Sequence, residues 1–141
     1  MEIIVMSRSK MRKVKPDGEG IVIISIQDVL DCIKMELQSG FLDKLQLDFD
    51  DVDRGWGRML PTDADKIARF VYKWKDKARI LIVQCEMGIC RSAGIAAAIS
   101  KVLTGDDSRF FDKSRYVPNM LCYRLTLEAL YKLGLDKQNK L

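Results

Sequence analysis

Cys85 and Arg91, six positions apart, are the residues of this chain with most to offer chemically. They lie in the segment Val83-Gln84-Cys85-Glu86-Met87-Gly88-Ile89-Cys90-Arg91-Ser92-Ala93-Gly94. The pair alone carries little meaning, and its setting carries more. The cysteine stands at the end of an apolar run, a glycine sits in mid-loop, and a hydroxyl follows the arginine. A helix with Ile95, Ile99, Val102 and Leu103 on one face then begins at once. A loop that returns to a helix N-terminus aims several backbone N–H groups at one point and adds the positive end of the helix dipole. That point can hold a phosphate dianion. The same field favours a thiolate over a thiol, whose free pKa is near ~8.5. The chain contains no histidine, which removes Ser-His-Asp and Cys-His catalysis, histidine-ligated zinc and any imidazole acid or base. Catalysis would have to rest on thiols, carboxylates, lysines or a cofactor.

The elements that must position these residues are legible as alternating apolar runs and amphipathic stretches. Strands are expected at 2–6, 21–26, 44–49 and 79–83. Ile21-Val22-Ile23-Ile24 and Ile80-Leu81-Ile82-Val83 are continuous, as in strands covered on both faces. Leu45, Leu47 and Phe49 alternate with Gln46 and Asp48, so that strand has one polar face. Pro61-Thr62 opens a helix, Thr62 and Asp65 resemble a capping box, and Ile67, Phe70, Val71 and Trp74 form its apolar stripe. Helices are also expected over 92–103, about 119–133 and 27–38. The sum is an α/β fold, a single domain over 1–141 with a mainly parallel sheet of four to five strands flanked by helices.

Composition agrees. The chain has 141 residues, 48% hydrophobic and 31% charged, enough for one domain with a real core and unlike a disordered or collagenous chain. No apolar run approaches the ~18 residues of a membrane span. The opening Met1-Glu2-Ile3-Ile4-Val5-Met6 does not read as a signal peptide, so the expected location is the cytoplasm, with no membrane partner. A net charge of +4 does not demand nucleic acid, and none is expected as a partner. Arg8, Lys10, Arg12, Lys13 and Lys15 make a basic loop, read either as a solvated connection or as a collector of anionic substrate. The four cysteines, Cys32, Cys85, Cys90 and Cys122, are expected to be reduced. Their spacing is poor for zinc, so no metal is expected.

The segment from Cys85 to Ala93 resembles the signature of the cysteine-dependent protein tyrosine phosphatases, Cys-x5-Arg-Ser/Thr between a strand and a helix. In its Cys-x-x-Gly-x-x-Arg-Ser-Ala form it looks most like the dual-specificity branch. The resemblance is strongest over about 43–103 and extends to Pro118-Asn119. One departure is Gln84, where the family usually has histidine. The resemblance implies that Cys85 is the nucleophile and that Glu86, Met87, Gly88, Ile89, Cys90 and Arg91 form the phosphate-binding loop. It implies that Arg91 grips two phosphate oxygens into the transition state and that Ser92 stabilises the sulfur as leaving group. Both matched loops leave the carboxyl edge of the sheet, where α/β sites form.

The family's general acid is an aspartate on a loop upstream of the cysteine. Asp50, Asp51 and Asp53 are available, and Asp51 best follows the family pattern after Leu47 and Phe49. Trp56-Gly57 follows, as pocket wall or as core or hinge packing. Cys90 is expected to pack rather than act as a redox partner, and Cys32 and Cys122 to sit in helices as core. The implied activity is phosphomonoester hydrolysis through a phosphocysteine, with no cofactor, on a phosphorylated protein or a small phosphomonoester. Two alternatives stand: a weak or inactive phosphate-binding module, to which Gln84 points, and a sulfurtransferase or reductase using Cys85 with Cys90. The spacing does not reveal the oligomeric state.

Overall fold

Two of the apolar runs become the centre of the sheet, and their burial decides where everything else sits. The computed structural model describes residues 1–16, 19–31 and 35–134. Strands β1 (Glu2–Ser7), β2 (Ile21–Gln27), β3 (Asp43–Asp48) and β4 (Ile80–Cys85) form a parallel sheet in the order β1-β4-β2-β3. Each lies within two residues of its expected bounds. Val22, Ile23, Ile24, Leu81 and Val83 are fully buried, as central strands with cover on both faces require. At the β3 edge Leu47 is buried while Lys44, Gln46 and Asp48 are exposed, the polar face that the alternation predicts.

Three helices cover one face. Helix α2 (Pro61–Trp74) packs Ile67, Ala68, Phe70 and Val71 into the main core. Its start corrects the expected cap: Pro61 is the first helical residue, and the Asp63 carboxylate accepts from the Leu60 amide at 2.8 Å. Helices α3 (Arg91–Thr104) and α4 (Met120–Lys132) complete the layer. No helix among the described residues is long and apolar enough to cross a membrane.

The other face has lighter cover. A single turn, α1 (Arg8–Met11), breaks the expected basic loop and buries Met11 against Ile21, Ile23, Ile82 and Met35. The helix expected over 27–38 is a correction. Its described residues close a turn at Asp28–Asp31 and form no helix at 35–38, where Met35 is buried and Leu37 half-buried while Glu36 and Gln38 are exposed. That alternation suits a strap laid across a sheet better than a helix. Cys32 lies outside the described residues.

Helices α3 and α4 approach closely because α3 carries small residues. Gly94 faces the Asn119 carbonyl, which a β-carbon there would overlap, and would also lie 3.2 Å from the Cys122 β-carbon. Gly94→Ala is therefore expected to destabilise the fold, by about 1–3 kcal/mol of overpacking. That outweighs the gain in helix propensity, ~1 kcal/mol at most. Thermal unfolding should show a Tm lowered by several degrees. A raised Tm would mean that α4 yields without cost.

Candidate active site

β4 ends at Cys85, whose neighbour across the ladder is Ser7 at the end of β1. The chain then turns through 86–90 into α3. Gly88 makes the turn possible: its φ is +67°, and a β-carbon would stand 2.5 Å from the Ser7 nitrogen. The loop's carbonyls are held from outside. Glu86 accepts from the Arg8 amide (3.1 Å), Ile89 from Val117 (3.1 Å), and Cys90 from both Asn119 (2.9 Å) and Gly94 (3.0 Å). Among the described residues, the amides of Met87, Gly88, Ile89 and Cys90 donate to no backbone carbonyl. Four successive donors are thus spared from the backbone hydrogen-bond network.

Cys85 is buried, and its Sγ lies 3.0 Å from the Ser92 Oγ. Arg91 is buried too, at 4% exposure. One guanidinium nitrogen, Nη1, donates to the Asp28 carboxylate and to the Phe49 carbonyl, both at 2.7 Å. Its Nε is buried with no partner. One edge of the fork is anchored and a donor on the other edge is open, as an anion-gripping arginine needs. Asp28, just past β2, was not singled out from the sequence. The signal was available: an acid immediately follows a wholly buried strand at the carboxyl edge.

The three candidate acids separate by environment. Asp50 is structural: it accepts from the Val29 amide (3.0 Å), its own amide donates to the Gly57 carbonyl (2.7 Å), and its carboxylate crowds Gly57. Asp53 is out in solvent beside Arg54 at 3.1 Å, which holds its carboxyl below the usual range. Asp51 faces the loop. Its Oδ1 accepts from the Asn119 Nδ2 at 2.9 Å, and its charge acts on the Cys90 thiol. Asn119 is itself fixed, because its Oδ1 caps α4 by accepting from the Cys122 amide at 3.1 Å.

Burial first, and then Asp51, push the Cys90 thiol up to about 11. Burial likewise pushes up Cys122, which is packed in α4 as expected. Neither favours a thiolate at neutral pH. Gln84 is fully buried and accepts from the Ser25 hydroxyl through its Oε1, while its Nε2 has no partner. Trp56 is 70% exposed, so the core-packing expectation for it fails. Beside Cys90 and Asp51 opens a cleft of about 530 Å³, whose walls include Val52, Val117 and Met120.

The chain has the fold of the dual-specificity and tyrosine phosphatases. PTPMT1 in complex with PI(5)P is 14% identical, with a TM-score of 0.63 over 94% of this chain and 92% of that one. Human DUSP28 is 12% identical, with a TM-score of 0.62 over 94% and 93%. The human tyrosine phosphatase-like serine/threonine/tyrosine-interacting protein is 22% identical, with a TM-score of 0.58 over 91% and 85%. No protein-family model matches the chain, and no curated protein matches it in sequence.

Proposed function

We propose that this protein is a cysteine-dependent phosphomonoester hydrolase of the dual-specificity type. The observation that carries the reading is the Cys85 sulfur at 3.0 Å from Ser92, at the start of a loop with four amides that donate to no backbone carbonyl and an anchored Arg91 whose buried Nε has no partner. The loop amides and Arg91 hold the non-bridging phosphate oxygens. The Cys85 thiolate attacks phosphorus in line, so an S–P bond forms as the P–O bond to the leaving group breaks. Asp51 gives its proton to the departing oxygen. Water then attacks phosphorus and the S–P bond breaks. Asp51 takes the water's proton, and the Ser92 hydroxyl donates to the leaving sulfur. The products are inorganic phosphate and the restored thiolate.

The direct test is hydrolysis of p-nitrophenyl phosphate in excess EDTA, with and without vanadate. Metal-independent turnover that vanadate stops is the expected result. Gln84 favours a second reading, because it stands where a histidine would be and is committed to Ser25. On that reading the chain only binds phosphate groups. Phosphate binding without turnover across pH 5 to 8 would select it.

The general acid gives a separate prediction. Asp51→Ala should lower kcat/KM by a factor of about 10²–10⁴ for an alkyl phosphate and by less for p-nitrophenyl phosphate, whose leaving group needs little help, while kcat falls for both because hydrolysis of the phosphocysteine loses its base. Tm should barely change, since Asp51 is exposed. Asp50→Ala should instead lower Tm, because it unties Val29 from the 50–57 loop. Normal turnover by Asp51→Ala would remove Asp51 from the mechanism.

A further inference from the structure

A second concave site lies on the flank of the Cys85 loop. It is a groove of about 460 Å³ bounded by Met87 and Gly88 on one side and by Ser9, Lys10, Lys13 and Arg115 on the others. Lys10, Lys13 and Arg115 are exposed, and none has a carboxylate at ion-pair distance among the described residues. The nearby acids have hydrogen-bond or ion-pair partners of their own, although Asp112 also acts on Arg115. Glu86 lies 3.6 Å from Arg8, which also holds Asp31 at 2.6 Å. Asp112 accepts from the amide (3.0 Å) and the hydroxyl (2.7 Å) of Ser114. The Arg115 guanidinium rests 5.8 Å over the Tyr116 ring, another wall of the groove. Lys10 and Lys13, with Arg115 partly offset by the nearby Asp112 carboxylate, surround one concavity and make a field that a negative ligand group would neutralise.

The position of the groove narrows the ligand. Ser7 neighbours Cys85 across the ladder, and Lys10 lies one helical turn beyond Ser7. Strand spacing plus that turn puts the Lys10 backbone on the order of 10 Å from that of Cys85. The loop itself contributes no lysine between Cys85 and Arg91. An extended peptide advances ~3.3 Å per residue and reaches the groove in about two to three residues. We propose that this groove is a substrate subsite that takes an acidic side chain flanking the phosphorylated residue of a peptide. The proposal rests on the phosphatase reading of Cys85.

The test measures binding to the Cys85→Ser protein, so that it does not depend on turnover. Fluorescently labelled phosphotyrosine peptides carry Glu, Gln or Lys at two and three positions on either side. The same peptides without phosphate are the controls. The Glu phosphopeptide is expected to bind roughly tenfold tighter than its Gln counterpart at low salt, and the ratio should shrink as salt rises. Adding Lys10→Glu, Lys13→Glu and Arg115→Glu should bring the ratio to one or below. The ratio is taken within each protein, so any general effect of the substitutions divides out. Equal binding of Glu and Gln phosphopeptides, or a ratio that survives charge reversal, would overturn the subsite and leave the phosphatase reading intact. Binding indifferent to the phosphate group would overturn both. If the charge reversal abolished binding to phosphatidylserine vesicles while the peptide ratio stayed, the groove would be a membrane contact and the proposal would fall.

Discussion

Cys85→Ser is expected to abolish turnover, by a factor on the order of 10⁴ or more in kcat, while phosphate and vanadate still bind. The change replaces one sulfur by one oxygen in a buried site, beside Ser92 and at the mouth of the amide loop. The hydroxyl neither ionises near neutral pH nor leaves phosphorus readily, so formation and breakdown of a covalent intermediate would both fail. Phosphate binding depends on other groups, the amides of Met87 to Cys90 and the Arg91 fork, which the substitution leaves in place. Kinetics and isothermal titration with phosphate on the same preparation separate the two. Residual turnover within tenfold of the wild type would mean that Cys85 is not the nucleophile.

Arg91→Lys carries the second largest effect, a loss of about 10²–10⁴ in kcat/KM with charge conserved. Arg91 uses Nη1 to hold Phe49 and Asp28 and keeps Nε open. A lysine has one donor group, which cannot hold the Phe49 carbonyl and at the same time present a fork to a phosphate. The Asp28 carboxylate is more than half exposed, so its ion pair adds little to stability by itself. The buried Phe49 carbonyl costs more to abandon, about 1–3 kcal/mol. Tm should therefore fall modestly while kcat/KM falls steeply. A proportional loss of both would make Arg91 a packing residue.

Much of the scaffold was legible because burial leaves a strong mark. The runs 21–24 and 80–83 could only be strands with both faces covered, and they are the two central ones. The alternation of Leu45 and Leu47 with polar neighbours gave β3 one polar face for the same reason, and the structure puts that strand at the sheet edge. What was less legible depends on tertiary partners. The segment 27–38 has apolar residues that read as a helix, yet Met35 and Leu37 pack against Ile21, Ile23 and Ile82 on the second face of the sheet. Asp50, Asp51 and Asp53 are equivalent in composition. They are told apart by Val29, Asn119 and Arg54, two of which lie far away in the chain. Asp28 shows the same limit, for its meaning comes only from Arg91, 63 residues on.

The central claim is that phosphate passes through the Cys85 sulfur, and trapping that species tests it most directly. Asp51→Ala protein mixed with p-nitrophenyl phosphate should form the intermediate readily and hydrolyse it slowly, because the leaving group needs no acid while water lacks its base. Rapid quenching and mass spectrometry should then find one phosphoryl group per chain, on the peptide carrying Cys85, and none in the Asp51→Ala, Cys85→Ser double variant. Turnover with no phosphorylated Cys85, or with the phosphoryl group on Cys90, would contradict the account.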